Sequence, residues 1–205
     1  MAFWNDRTLR VKRQHKFLVE AGPTAATNLF KFFAMEASRP SYQIGEHVHG
    51  FLDHKFKFPG AITWQDVTLK VADVKTGNSS TEDTSFALYH MLNNAGWRTP
   101  DNVPGANLPL TINKEAAVGA LGKLVIKQIQ GGNLDESNLG DDMTVTPGVT
   151  VLDTWSLQNA WIKQVNFGTL SYTSEAVTTI DLTISYDYAI FSPGSESLTA
   201  YNVGS

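Results

Sequence analysis

The chain contains no cysteine in its 205 residues. Disulfides, cysteine-ligated zinc, iron–sulfur clusters and thiol nucleophiles are therefore excluded. It also lacks any apolar run of about 18 residues, the length a membrane-crossing helix needs. The opening stretch, MAFWNDRTLRVKRQHKF, is basic but has no apolar segment of the kind a secretory signal carries. Synthesis in a cytoplasm is the expectation. Charge is sparse: Asp, Glu, Lys and Arg make up 18% of the chain, and the net charge is −4. A nucleic-acid binder is usually basic overall, and this chain is not.

Apolar residues, by contrast, reach 42%, enough for an ordinary core. The few charges are unevenly spread. Residues 1–75 carry 11 Lys/Arg against 7 Asp/Glu, whereas residues 76–205 carry 5 against 13. Such asymmetry suits a protein whose surfaces meet copies of itself; chance distribution explains it equally well.

The dominant pattern is strand-like. Lys16–Ala21 is a short apolar run closed by Gly22-Pro23, and Leu29–Ala37 is rich in aromatics and bounded by Arg39-Pro40. Ser41–Glu46 and His54–Phe58 read as strands, the latter with Phe56 and Phe58 on one face and Lys55 and Lys57 on the other. Pro59-Gly60 reads as a turn. Trp64–Val74 alternates again, with Val67, Leu69 and Val71 facing one way. Lys123–Gln130 is a further strand. Trp155–Phe167 and Glu175–Phe191 read as two long closing strands. In the second, Ile180, Leu182, Ile184, Tyr186, Tyr188 and Ile190 share a dry face, and Asp181 and Asp187 lie on the wet one.

One helix is clear. Ser79-Ser80-Thr81-Glu82-Asp83 offers caps and first-turn acids. Leu88, Met91, Leu92 and Ala95 then fall on one helical face, and Gly96 is placed to end it. Lys114–Leu121 reads as a short helix or an irregular segment. Thr99–Leu110 and Asn133–Val149 read as loops. With no internal repeat and no linker, residues 1–205 are expected to form one domain. Its architecture is expected to be an antiparallel two-sheet sandwich or barrel with one flanking helix, and residues 1–15 and 193–205 are expected to be tails.

Catalytic motifs are few. His47 and His49 fall on one face of a strand, with Asp53 and His54 nearby and His90 on the helix, as a β-supported metal site would need. The set matches no HExxH pattern, and solvated or interface histidines are the competing reading. No GxSxG is present, and Gly119-Ala-Leu-Gly122 lacks the Lys-Ser/Thr of a phosphate loop. Asp135-Glu136 and Asp141-Asp142 do not have the spacing of a calcium loop. Trp155, Trp161, Phe167 and Tyr172 have few basic neighbours, so core and subunit packing suits them better than a nucleic-acid platform. No cofactor is implied.

Two blocks carry a family resemblance. PSYQIGEHVHGFLDHKFKFPGAITWQDVTLKVAD resembles the region of contractile-tailed bacteriophage tail tube proteins that runs strand, loop, Lys-aromatic-Pro-Gly, then Thr-Trp-x-Asp-Val-Thr. WSLQNAWIKQVNFGTLSYTSEAVTTIDLTISYDYA resembles the closing strands of the same family, with a Val-x-Phe-Gly-x-Leu-x-Tyr motif before a final alternating strand. The helix over Thr81–Asn94 fits between them, and the resemblance runs from about Lys16 to Ile190.

The resemblance implies a two-sheet β fold and no enzymatic activity. Six copies would join their sheets into a ring, and rings would stack into a hollow tube inside a contractile sheath. The tube would meet sheath, baseplate and terminator proteins in the virion tail and pass DNA without binding it specifically. Related injection machines, including type VI secretion tubes, share the architecture. Within this picture the excursion from Ile44 to Lys55, with His47, His49, Phe51, Leu52 and His54, is expected to reach the adjacent ring. Asp181 and Asp187 are expected to face the channel.

Overall fold

The computed structural model describes residues 12–21, 33–75, 83–99, 111–130, 150–173 and 175–194. Ten strands and two helices lie in these residues: β1 (Phe17–Ala21), β2 (Ala34–Ala37), β3 (Ser41–Phe51), β4 (His54–Gln65), β5 (Val67–Ala72), α1 (Thr84–Asn94), α2 (Lys114–Leu121), β6 (Leu124–Gln130), β7 (Thr150–Gln158), β8 (Trp161–Asn166), β9 (Thr179–Ser185) and β10 (Tyr188–Pro193). The carboxylate pairs Asp135-Glu136 and Asp141-Asp142 and both expected long loops, apart from Thr99, fall outside the described residues.

Two antiparallel sheets of four strands form the body. One has the order β1-β6-β7-β10 and the other β2-β5-β9-β8. Alternation decides which side chains meet between them. On β5, Val67, Leu69 and Val71 are buried and register with Ile184, Leu182 and Ile180 of β9. From the facing sheet come Val19, Ala21, Leu124, Ile126 and Leu157. This mainly-β two-sheet architecture is the expected fold class. It carries a second helix, because the Lys114–Leu121 segment is helical.

Both helices have side-chain caps. Asp83 accepts from the Phe86 amide, and Asn113 accepts from the Ala116 amide. Leu88 and Met91 of α1 and Leu121 of α2 enter the shared core. Gly96, at φ +109°, follows α1 and packs its backbone against the Thr111 carbonyl, where a side chain has no room.

Three expected strands are each two. Trp64–Val74 breaks at Asp66, which separates β4 from β5. Trp155–Phe167 breaks at Asn159-Ala160, and the second closing strand breaks at Tyr186-Asp187. The last two breaks are corners that carry the chain from one sheet to the other. Asn159 takes a left-handed φ of 54°, which asparagine tolerates better than most residues. Past the second corner the even-numbered side chains change sides. Ile180 to Tyr186 are buried, whereas Tyr188 and Ile190 are more than 40% exposed. An unbroken alternating pattern therefore spans two strands with opposite orientation.

Candidate assembly surfaces

The excursion expected as a loop is a long hairpin. β3 and β4 pair from Ser41↔Gln65 to Phe51↔His54 across a tight turn at Leu52-Asp53. At the strand rise of about 3.3 Å per residue, β3's 11 residues span roughly 35 Å. Its contacts are overwhelmingly between its own two strands. All of its residues are exposed except Trp64, which is partly buried.

Pro59-Gly60 is not a turn. Pro59 pairs with Glu46 inside the ladder, tolerated because a two-stranded hairpin has only edge strands. Between Ile44↔Ile62 and Glu46↔Pro59, β4 carries one residue more than β3. Gly45 lies opposite Gly60 and Ala61 at this bulge, and a Cβ on Gly60 would sit 3.2 Å from the Gly45 backbone.

The register brings the histidines onto one face with phenylalanines. His47 pairs with Phe58, His49 with Phe56, and His54 with Phe51. Each cross-strand pair on this tip face sets an imidazole against a phenyl ring. Among the described residues no group of three or more His, Asp or Glu side chains is placed to hold a metal ion. His90 is elsewhere, stacked on Phe86 and bonded to Asn94 on α1. The metal arrangement considered from sequence spacing is thus not assembled by the fold. At the tip, Leu52 is 86% exposed at φ 54°, and Phe51 is 62% exposed.

The hairpin's root is anchored by aromatics. Tyr42 meets Trp64 edge-on at 5.3 Å, and Trp64 packs at 6.0 Å on Tyr186 of the body. Burial, and then the charge of Asp66, push the Tyr186 phenol above its ordinary value. Asp66, at the junction to β5, accepts from Lys163 of β8 at 2.7 Å. That bond holds its carboxyl below the ordinary range.

The two candidate lumen acids lie apart. Asp181 is on the outward face of β9, where Lys70 sits 3.9 Å from both Asp181 and Glu36. Thr68 and Thr183 share this polar face, so the wet face of the sequence pattern is present on β9. Asp187 is not on it. It occupies the β9–β10 corner and accepts from both Lys114 and Asn159. The shared-strand basis for treating the two acids alike fails because the strand ends at Ser185.

Other surfaces are less specific. Leu88, Met91, Leu92, Ala117, Ile162 and Val165 line an apolar groove of about 270 Å³ between the helices and β8. Of the other aromatics singled out, Trp155 packs on Phe191 at 4.8 Å, and Tyr172 is fully exposed. Sequence reading did not single out the root residues Ile44, inside the expected strand Ser41–Glu46, and Ile62, between the expected Pro59-Gly60 turn and the strand from Trp64. Their signal was the even spacing of Phe56, Phe58, Ile62 and Trp64.

No protein-family model and no curated protein matches the chain. Solved structures do match in fold. A chain in the cryo-EM structure of the anti-feeding prophage baseplate matches with a TM-score of 0.56 at 13% identity, over 90% of this chain and 97% of that one. A chain in the sheath–tube complex of the PVC extracellular contractile injection system, in its extended state, matches at 0.52 and 16%, over 94% and 99%. A chain in the anti-feeding prophage tube-terminating cap matches at 0.53 and 16%, over 94% and 99%. The fold is thus one found in the tube-bearing assemblies of contractile injection particles. This agrees with the resemblance to tube proteins drawn from the sequence.

Proposed function

We propose that this protein is a structural, non-enzymatic subunit of the inner tube of a contractile phage tail. Six copies form a ring, rings stack into a hollow tube, and the tube conducts DNA. Sheath, baseplate and terminator proteins are its other partners. The observation that carries the reading is the β3–β4 hairpin, a long strand pair rich in large apolar side chains that no described element of its own chain covers. Apolar surface of this extent on a soluble protein marks an interaction site. Among the described residues β1, β10, β2 and β8 have one edge without a partner strand, and this gives the same message, since unpaired edges are tolerated when the next subunit satisfies them.

The outward polar face of β5 and β9 suits the channel wall. There Asp181 and Glu36 outnumber Lys70, and excess negative charge repels DNA phosphates instead of holding them. Phe51, Leu52 and the three histidines at the hairpin tip suit contact with the adjacent ring. A tube of another contractile injection particle is the second reading, favoured by the fold likeness to such particles. The two differ in cargo and share the assembly.

Negative-stain electron microscopy of the purified protein across a concentration series tests the reading. Rings or tubes with a central channel are expected. Monomeric particles at every concentration, with and without a purified baseplate nucleus, would sink it.

A further inference from the structure

The two halves of the β3–β4 hairpin present their apolar side chains on opposite faces. In the root half, Tyr42↔Trp64 and Ile44↔Ile62 share one face, and Ser41, Gln43, Thr63 and Gln65 share the other. In the tip half, the Phe56, Phe58 and Phe51 pairs with histidine lie on the face that carries Ser41 and Gln43 in the root. The tip's reverse face carries Lys55 and the Glu46–Lys57 ion pair, at 3.1 Å, together with Val48. The switch falls at the bulge. β3 alternates without interruption, whereas the extra residue of β4 at Gly60-Ala61 moves Phe58 and Phe56 to the side opposite Ile62.

A hairpin laid against one partner needs one apolar face. This one has two, offset along its length. We propose that the hairpin binds two different copies of this chain, one through each face. The root face, continuous with the body through Trp64 and Tyr186, takes the lateral neighbour within a ring. The tip face, about 20 Å further out at the usual strand rise, takes a copy in the next ring. Charge supports copies of the chain as the occupants. The tip's polar side carries Lys55 beside the Lys57–Glu46 pair, and the chain divides its charge, with 11 bases against 7 acids in residues 1–75 and 5 against 13 in residues 76–205. This division rests on the tube reading and adds which face makes which contact.

The test uses two double variants, Ile44→Thr/Ile62→Thr at the root and Phe56→Thr/Phe58→Thr at the tip. Threonine retains strand preference, and all four positions are exposed in the isolated chain, so the hairpin persists. Circular dichroism and melting of the monomers verify this. Size-exclusion chromatography with light scattering and electron microscopy then read assembly. The root variant is expected to remain monomeric where the unaltered chain assembles. The tip variant is expected to stop at single rings. Arrest of both variants at the same step, a reversed order, or tube formation by either variant overturns the division while leaving the tube reading standing. An unaltered chain that never assembles overturns both.

Discussion

Asn159 donates from Nδ2 to Asp187 Oδ2 at 2.7 Å, which ties the β7–β8 corner to the β9–β10 corner. The Asp187 amide donates to the Gln158 carbonyl at 3.1 Å, and Lys114, the first residue of α2, donates to both carboxylate oxygens at 2.7 Å. One carboxylate therefore joins two sheet-switching corners and a helix start. Lys114, then Asn159, hold this carboxyl below its ordinary range.

Asp187→Ala is expected to lower stability modestly, by about 1 kcal/mol or less, because the ion pair is partly exposed and solvent-screened. The sign of its pH dependence follows from the depressed value. The contribution is complete above the unfolded value of 3.8 and fades as pH falls through the lower folded one. Thermal melts of the wild type and the variant should therefore differ at neutral pH and converge in acid. A constant gap at all pH values argues against the assignment.

Leu182→Ala should cost far more. Leu182 is 1% exposed at the centre of the sandwich, in register with Leu69. Truncating a buried leucine typically costs 2–5 kcal/mol, roughly. Urea unfolding of the monomer measures this, and a loss below about 1 kcal/mol would show that the two sheets do not close on this residue.

Phe51→Asp should leave the fold intact, since the side chain is 62% exposed and touches no described core element. Under the proposed function it places a charge where the next ring docks. The expected outcome is an unchanged melting temperature with no long tubes by electron microscopy. Normal tubes would remove the tip from the stacking contact.

Asp181→Lys tests the channel wall separately from assembly. Its carboxylate is 54% exposed and only loosely paired with Lys70, so folding and tube formation should be unaffected. Delivery of DNA through the altered tube should slow, because the wall then attracts phosphates. Delivery at the normal rate, measured by DNA release from particles carrying the variant, would place Asp181 away from the lumen.

Much of the architecture was legible from residue order. The alternation of Val67, Leu69 and Val71, and of Ile180, Leu182 and Ile184, marks the two central strands because each has one buried face. The spacing of Leu88 and Met91 marks α1 for the same local reason, although the cap is Asp83, which the sequence suggested as a first-turn acid behind hydroxyl caps. The acidic wet face of β9 was visible as far as Asp181. Period, cap and composition are short-range properties, and they survive whatever the rest of the chain does.

What residue order left open was set by contacts distant in sequence. Alternation from Ile180 to Ile190 runs straight through the Tyr186-Asp187 corner, because period two is kept while the strand changes sheets; only the partners Gln158, Asn159 and Lys114 define the bend. Likewise Phe56 and Phe58 read as one face of a strand that stops at a Pro59-Gly60 turn, and only pairing with β3 reveals that β4 runs on through a bulge at Gly60-Ala61 to Ile62 and Trp64 on the opposite face. Pro59-Gly60 looks like a turn because both residues favour turns, yet an exposed two-stranded edge admits them within a strand. The sequence by itself determined the class of fold, the central core strands and the apolar wealth of the hairpin. The tertiary structure decided which way that apolar surface points, because direction in a β-sheet is set by register with a partner strand.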